Sequence, residues 1–292
     1  MAGNVSRWLF RGLVTVLAVL AIVVTTVWTL SNRQLAKRYA VTPEAVTVPT
    51  DSAAIVRGRH LATAIGKCVN CHGDNLDGQR MGMGPVGTFT AINLTRGKGG
   101  VGNFSDADLV RAIRHGVAPD GRPLVFMPSR AYSGFNATDL AALIAYVRSV
   151  PPVDNELPPS SVGPIGRMII TRDPTKLIAA PALDHAAPFP AEILPGPTAE
   201  YGGYLVVVGG CTICHGPDLK GGLKEGPPGT PPSQDLTPSG DPGKWTEADF
   251  RKALREGLRP DGTVINPFMP WRLTKLMTDE EISAVWAYLK TR

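Results

Sequence analysis

Hydrophobic positions fall into two kinds of pattern along this chain. From Gly12 to Leu30, GLVTVLAVLAIVVTTVWTL runs for nineteen residues without a charge. Further on, apolar residues recur at helical spacing in two places: Leu140, Leu143, Ile144, Val147 and, 142 residues later, Ile282, Val285, Trp286, Leu289. Each set is the i, i+3, i+4, i+7 stripe of an amphipathic helix. Helix starts are marked as well. Ser105 and Thr246 are N-cap residues with Asp108 and Asp249 three positions on, and Thr278 with Glu281 forms a capping box. No convincing period-two alternation appears, so the pattern predicts a mainly α protein.

The first stretch is long enough at ~1.5 Å per residue to approach the thickness of a hydrocarbon core. Trp8 and Trp28 stand near its ends, where amphipathic rings favour the membrane interface. A cleaved signal peptide competes with an uncleaved anchor. The length, and the lack of a clear small-x-small site directly after it, favour the anchor. Flanking charge does not orient it, since Arg7 and Arg11 precede it and Arg33, Lys37 and Arg38 follow it.

The rest of the chain repeats itself. Residues 53–150 and 198–292 read as two copies of one unit, offset by 141 to 143 residues. Cys68-Val-Asn-Cys71-His72-Gly73 matches Cys211-Thr-Ile-Cys214-His215-Gly216. Asn93-Leu-Thr matches Asp235-Leu-Thr, Pro119-Asp-Gly matches Pro260-Asp-Gly, and Phe126-Met127-Pro128 matches Phe268-Met269-Pro270. Each unit reads as helix, CxxCH, long Gly/Pro-rich loop, helix, Met-Pro loop, helix. The organisation is then residues 1–52, an N-terminal membrane anchor (span about 12–30) and linker; 53–150, a first domain; 151–197, a connector; and 198–292, a second domain. The connector holds eleven prolines in its 47 residues, which predicts an extended segment laid over the domains.

Composition adds limits. Hydrophobic residues are 43% of the chain, enough for real cores, and Gly (32) and Pro (27) carry no collagen period. Net charge is +5, and the excess lies in the N-terminal half: residues 53–150 hold eleven Lys/Arg against six Asp/Glu, whereas 198–292 hold eleven against twelve. No basic run interleaved with aromatics occurs, so nucleic acid is excluded as a partner.

The four cysteines carry the chemistry. CxxCH is the attachment pattern for c-type haem: two thiols reach two vinyl groups on one porphyrin edge, and the next His projects to the iron. Other readings fit less well. Zinc sites pair CxxC motifs ~15–20 residues apart, far closer than these pairs, and no βαβ pattern supports a redox dithiol. Structural disulfides are open to an exported chain, but each pair here carries its own His in a matched context. The expected cofactors are two covalent haem c groups, bound by Cys68, Cys71 and His72 and by Cys211, Cys214 and His215. The sixth ligand follows from the repeat. Met127 and Met269 correspond, 59 and 58 residues after the first Cys of their units. Met81 and Met83 face Lys224 and Gly226 in the alignment, and Met277 faces Phe135. His72, Met127, His215 and Met269 are therefore the expected iron ligands, and no residue is expected to be catalytic. His60 aligns with Tyr204, which suggests packing; His115 aligns with Glu256, which suggests a polar helix surface; His185 lies in the connector. Arg96 and Lys98 are expected to raise the first haem's potential, to face an acidic partner, or simply to lie on the solvated surface. Phe104 and Trp245, at matched positions, are expected either near the haem edges or as aromatic core.

Both units resemble class I c-type cytochrome domains. The run MPSRAYSGFNATDLAALIAYVRSVPPVDNELPP, the NLT segment before a Gly-rich turn and RAIRHGVAPDGRPL resemble the cytochrome c subunits of membrane-bound alcohol, gluconate or fructose dehydrogenases. Those subunits typically carry three CxxCH motifs and often anchor by the C-terminus, whereas this chain has two and an N-terminal span. The resemblance implies two tandem class I cytochrome c-like domains after one transmembrane helix. His/Met ligation leaves no open position on iron, so one-electron transfer is expected rather than catalysis. The role implied is a membrane-tethered periplasmic carrier, or the cytochrome subunit of a respiratory or dehydrogenase complex. Its redox partners would be a dehydrogenase, a quinol-oxidising complex or a terminal oxidase. A diheme peroxidase-like enzyme is the alternative. Haem attachment needs a maturation system outside the cytoplasm, which places the haem domains on the periplasmic side of the inner membrane, held by a single pass.

Overall fold

The computed structural model describes residues 2–226 and 229–292, with side chains from residue 6 onward. Helix α1 (Ala2–Ala36) projects from the rest of the molecule with its apolar side chains exposed. Its Ser6–Ala36 portion is long and apolar enough to cross a membrane.

The first repeat opens with α2 (Ser52–His60), capped by the Asp51 side chain on the Ala54 amide. It continues through one π-helical turn, Leu61–Ile65. Then come α3 (Val69–His72), β1 (Gln79–Gly82), β2 (Gly87–Ala91), α4 (Asp106–His115), α5 (Ser129–Tyr132) and α6 (Ala137–Ser149). The connector contributes β3 (Ser161–Val162) and α7 (Pro164–Arg172). The second repeat follows as α8 (Ala199–Val208), α9 (Cys211–His215), α10 (Asp241–Lys244), α11 (Glu247–Glu256), α12 (Trp271–Thr274) and α13 (Asp279–Leu289). The capping box expected at Thr278 forms, and the expected N-caps Ser105 and Thr246 form capping boxes too; both α4 and α11 stop at a left-handed glycine, Gly116 and Gly257.

Three readings from the sequence need correction. A small antiparallel sheet exists: β1 pairs with β2 from Gln79↔Ala91 to Gly82↔Thr88, and β3 extends the far edge. Its longest strand has five residues, and only Phe89 and Ala91 mark the inner face with large or methyl side chains, so alternation was too short to register. His115 is buried, 1% exposed, because the connector folds across it. Its Nδ1 lies 3.2 Å from His185 Nδ1, and the neighbouring Arg114 donates to the carbonyls of Ala187 and Pro188 and stacks on Phe189. The connector, read as extended, forms helix α7 instead, whereas Lys98 lies on the solvated surface as one reading held, paired there with Glu156 at 2.9 Å. The connector also reaches α1. Arg167 on α7 lies 3.6 Å over the Trp28 ring and donates to Ser31 Oγ and Asn32 Oδ1.

Each repeat is organised by its first helix crossing its last, α2 on α6 and α8 on α13. The crossing point is a glycine in both. A Cβ on Gly58 would stand 1.9 Å from the Ala142 carbonyl oxygen, and one on Gly202 would stand 1.9 Å from that of Ala284. Around these crossings pack Leu61, Ile65, Leu140 and Ile144 in one repeat, and Leu205, Val208, Ile282 and Val285 in the other.

The two helix pairs also face each other, and the seam between them has approximate two-fold symmetry. Arg57 and His60 on α2 reach Glu281 on α13, at 3.5 and 2.8 Å. Tyr204 on α8 donates to Asp139 on α6 at 2.7 Å. Arg57 closes the network with two bonds of 2.9 Å to Asp139 and one of 3.2 Å to the Tyr201 hydroxyl. Asp139 and Glu281 are equivalent residues of the two repeats, as are His60 and Tyr204, so each repeat presents an acid to the donors of the other. Burial pushes the Glu281 carboxyl up, but hydrogen bonds from His60 and the Thr278 amide, with the Arg57 charge, outweigh it and hold the group below its ordinary value.

Two predictions follow from this packing. Gly58→Ala or Gly202→Ala forces the crossing helices apart and costs about 2–3 kcal/mol, read as a fall in thermal midpoint, while alanine at Gly196, where a Cβ would meet only Thr198 at 3.8 Å, is nearly silent. The seam also responds to acid. Because the folded pKa of Glu281 is depressed, its stabilisation is complete above the unfolded carboxylate value of about 4.3 and is lost as pH falls through the lower folded value. Thermal midpoints taken from pH 6 to pH 3 should fall, and Glu281→Gln should flatten part of that slope.

Candidate functional site

Both CxxCH motifs sit where the first helix of a repeat ends. In the first, the π-helical turn brings the chain to Lys67, whose φ of +54° is left-handed, and Cys68 then starts the short helix α3. In the second, Gly210 at φ +72° plays the same part before α9. The turn after each histidine is also matched. Gly78 N–H donates to the His72 carbonyl and Gly221 N–H to that of His215, both at 2.8 Å. Leu94 N–H bonds the Leu76 carbonyl and Leu236 N–H that of Leu219, again at 2.8 Å. Asn93 and Asp235 then tighten the loop by accepting from the amides of Thr95 and Thr237.

The consequence is a fixed pose for both imidazoles. His72 Nδ1 lies 2.8 Å from the Ile92 carbonyl oxygen, and His215 Nδ1 lies 2.8 Å from that of Gln234. A carbonyl only accepts, so Nδ1 carries the proton and Nε2 keeps its lone pair. Burial pulls both pKa values down, against the carbonyl bond that pulls them up, so the rings are neutral at physiological pH. A neutral imidazole with one nitrogen tied back is a prepared metal ligand.

In the second repeat these residues line a cleft with mainly apolar walls. Cys214, His215, Met269, Trp245, Leu223 and Leu254 contribute to it. Part of its wall comes from the other repeat, in Ala64, Ile65 and Lys67. All four cysteines are unpaired. Burial raises every one of the thiols, Cys68 to about 12, so they are held neutral. The donor set therefore fits a covalently attached porphyrin: two neutral thiols, a ready imidazole and a thioether around an apolar cleft. Among the described residues no group of three or more His, Cys, Asp or Glu side chains is placed to hold a metal ion unaided. In the first repeat Met127 is half-buried against the core, beside Phe126, whose ring stacks on Phe89 at 5.1 Å.

The other candidates lie elsewhere. Met277 is a core residue and His60 belongs to the seam. Arg96 is exposed. Trp245 lines the cleft, whereas Phe104 packs against the core of the first repeat, its carbonyl bonded to Arg148. One residue escaped sequence reasoning. Lys67 touches both motifs, and the signal was its alignment with Gly210, a bulky cation against a glycine in otherwise matched contexts.

Comparison with known proteins agrees with this geometry. Residues 199–292 match the family model described as Cytochrome c, and residues 53–147 match that of the cbb3-type cytochrome c oxidase subunit III. A diheme cytochrome c-type of Cereibacter sphaeroides is 30% identical over 261 residues, covering 80% of this chain and 84% of that protein. The cytochrome c subunit of a quinone-type alcohol dehydrogenase of Gluconacetobacter polyoxogenes is 31% identical over 284 residues, covering 85% of this chain. The gluconate 2-dehydrogenase cytochrome c subunit of Pantoea cypripedii is 31% identical over 276 residues, covering 82%. The chain spans only 58% and 60% of the length of those last two relatives.

Proposed function

This chain belongs to the cytochrome c family, and from that premise we propose that it is a membrane-tethered diheme electron carrier. Electron transfer through c-type haem is the function of its domains. The observation that carries the two-haem reading is the identical preparation of His72 and His215, each tied by Nδ1 to a backbone carbonyl at 2.8 Å. When bound, haem c supplies a one-electron couple at iron. Cys68 and Cys71 would hold one group and Cys211 and Cys214 the other, through thioether bonds. His72 and His215 would each supply Nε2 to the iron, and Met127 and Met269 would supply thioether ligands. Pairing a thioether with imidazole would raise the potential and leave no place for substrate on the metal. The apolar wall of the second repeat's cleft would exclude water and lower the local dielectric.

Helix α1 is proposed as the tether, with α7 clamped against its outer end by Arg167 and Thr171. Covalent attachment requires maturation outside the cytoplasm, so residues beyond the span face the periplasm. The alcohol and gluconate dehydrogenase subunits suggest a membrane-bound dehydrogenase as electron donor. A quinol-oxidising complex or terminal oxidase would serve as exchange partner. In this reading the chain conducts electrons and holds no substrate.

The test is maturation of the full chain in a host with a cytochrome c assembly system. The expected product has two covalent haem adducts by mass spectrometry, and its reduced form does not bind carbon monoxide. Met127→Ala and Met269→Ala should each lower one midpoint potential and open one haem to carbon monoxide. A product with one adduct or none overturns the reading, and rapid carbon monoxide binding by the native protein favours a catalytic haem instead.

A further inference from the structure

The two repeats are equivalent almost everywhere near their CxxCH motifs, and Lys67 breaks the equivalence. It holds a left-handed backbone conformation that its counterpart Gly210 adopts without strain. Its side chain is half-buried. Nζ donates to the Ile65 carbonyl of its own repeat and to the Gly209 carbonyl of the other, both at 2.9 Å. Gly209 lies two residues before Cys211, so this side chain ties the segment entering one motif to the segment entering the other. Lys67 is also part of the wall of the second repeat's cleft, although it immediately precedes Cys68 of the first.

No acid neutralises it. Among the described residues the lysines in ion pairs are Lys98 and Lys176. Burial pulls the ammonium below its ordinary value, while the two carbonyl acceptors favour its charged form. An unneutralised cation in a low-dielectric wall acts strongly on a neighbouring charge. It favours whichever iron state carries less positive charge, which is the reduced one.

Resting on the diheme reading above, we propose that Lys67 is the potential-setting residue of the seam: it raises the reduction potential of the haem held by His215 and so directs electrons from the first repeat into the second. It does this through space and through its bond to Gly209, without ligating iron.

The experiment is a spectroelectrochemical titration of the full chain in detergent, comparing wild type with Lys67→Met, Lys67→Gln and Lys67→Arg. The couple belonging to the second repeat is identified by Met269→His, which moves that couple alone. Met and Gln at position 67 should each shift it downward by at least tenfold in the reduction equilibrium, about 59 mV for one electron. Arg should retain most of the wild-type value. The Gln variant keeps hydrogen-bond donors without charge, so it separates electrostatics from stapling and stands in if the Met variant does not mature. An unchanged second couple in a neutral variant carrying both haems overturns the proposal. So does an Arg variant that shifts as far as Met, or a shift confined to the first couple. A wild-type protein lacking two haem adducts by mass is a different result, for it would refute the diheme reading itself.

Discussion

Two helices of each repeat cross so closely that no side chain fits between them. At Gly58 and Gly202 the partner backbone occupies the place where a Cβ would be. This contact fixes where the first helix of the repeat ends relative to the last. The CxxCH motif begins within ten residues of that crossing, and its histidine then meets a carbonyl twenty or nineteen residues further along, at Ile92 or Gln234. The site is thus positioned by backbone on both sides: a helix crossing before it and a carbonyl after it. Neither depends on a long loop holding its own shape.

The same helices make the seam between repeats. An acid near the start of each last helix, Asp139 or Glu281, receives donors from the first helix of the other repeat. Removing the charge of Arg57 would leave Asp139 buried with only neutral donors, a loss below the about 3–5 kcal/mol of a fully buried pair because Arg57 keeps part of its surface in solvent. The value of such a network lies in orientation as well as stability. Hydrophobic contact alone would allow the repeats to slide, whereas four directed contacts between specified atoms of the two repeats favour one arrangement. That arrangement brings Ala64, Ile65 and Lys67 into the second cleft.

Much of this was legible in the sequence, and the legible part has a common cause. Capping boxes, the apolar stripes of α6 and α13 and the CxxCH spacing are local, so a few neighbouring residues specify them. Duplication then made weak signals usable, since Met127 and Met269 stood out only because each had a counterpart. What escaped was non-local. His60 read correctly as a packing residue, but its partner Glu281 lies 221 residues away. His115 read as a surface residue because helical position says nothing about a connector that returns to cover it seventy residues later. The small sheet escaped because its strands are shorter than any window in which alternation can be measured. The connector read as an extended linker. Its prolines did limit long elements, yet α7 forms with Pro164 at its first position, where a missing N–H costs nothing.

Lys67 joins these threads, because local and non-local forces disagree at that position. Locally, a left-handed turn before Cys68 asks for glycine, as Gly210 shows in the matching place. A lysine there carries backbone strain and a half-buried ammonium, and neither is offset within its own repeat, where it finds a single carbonyl at Ile65. The second acceptor, Gly209, exists only because the helix crossings and the seam place the other repeat within reach. A residue that is unfavourable in its own unit and satisfied only by the neighbouring one is evidence that the two repeats work as one body. The lysine makes them unequal, and inequality between two redox centres is what gives transfer between them a direction.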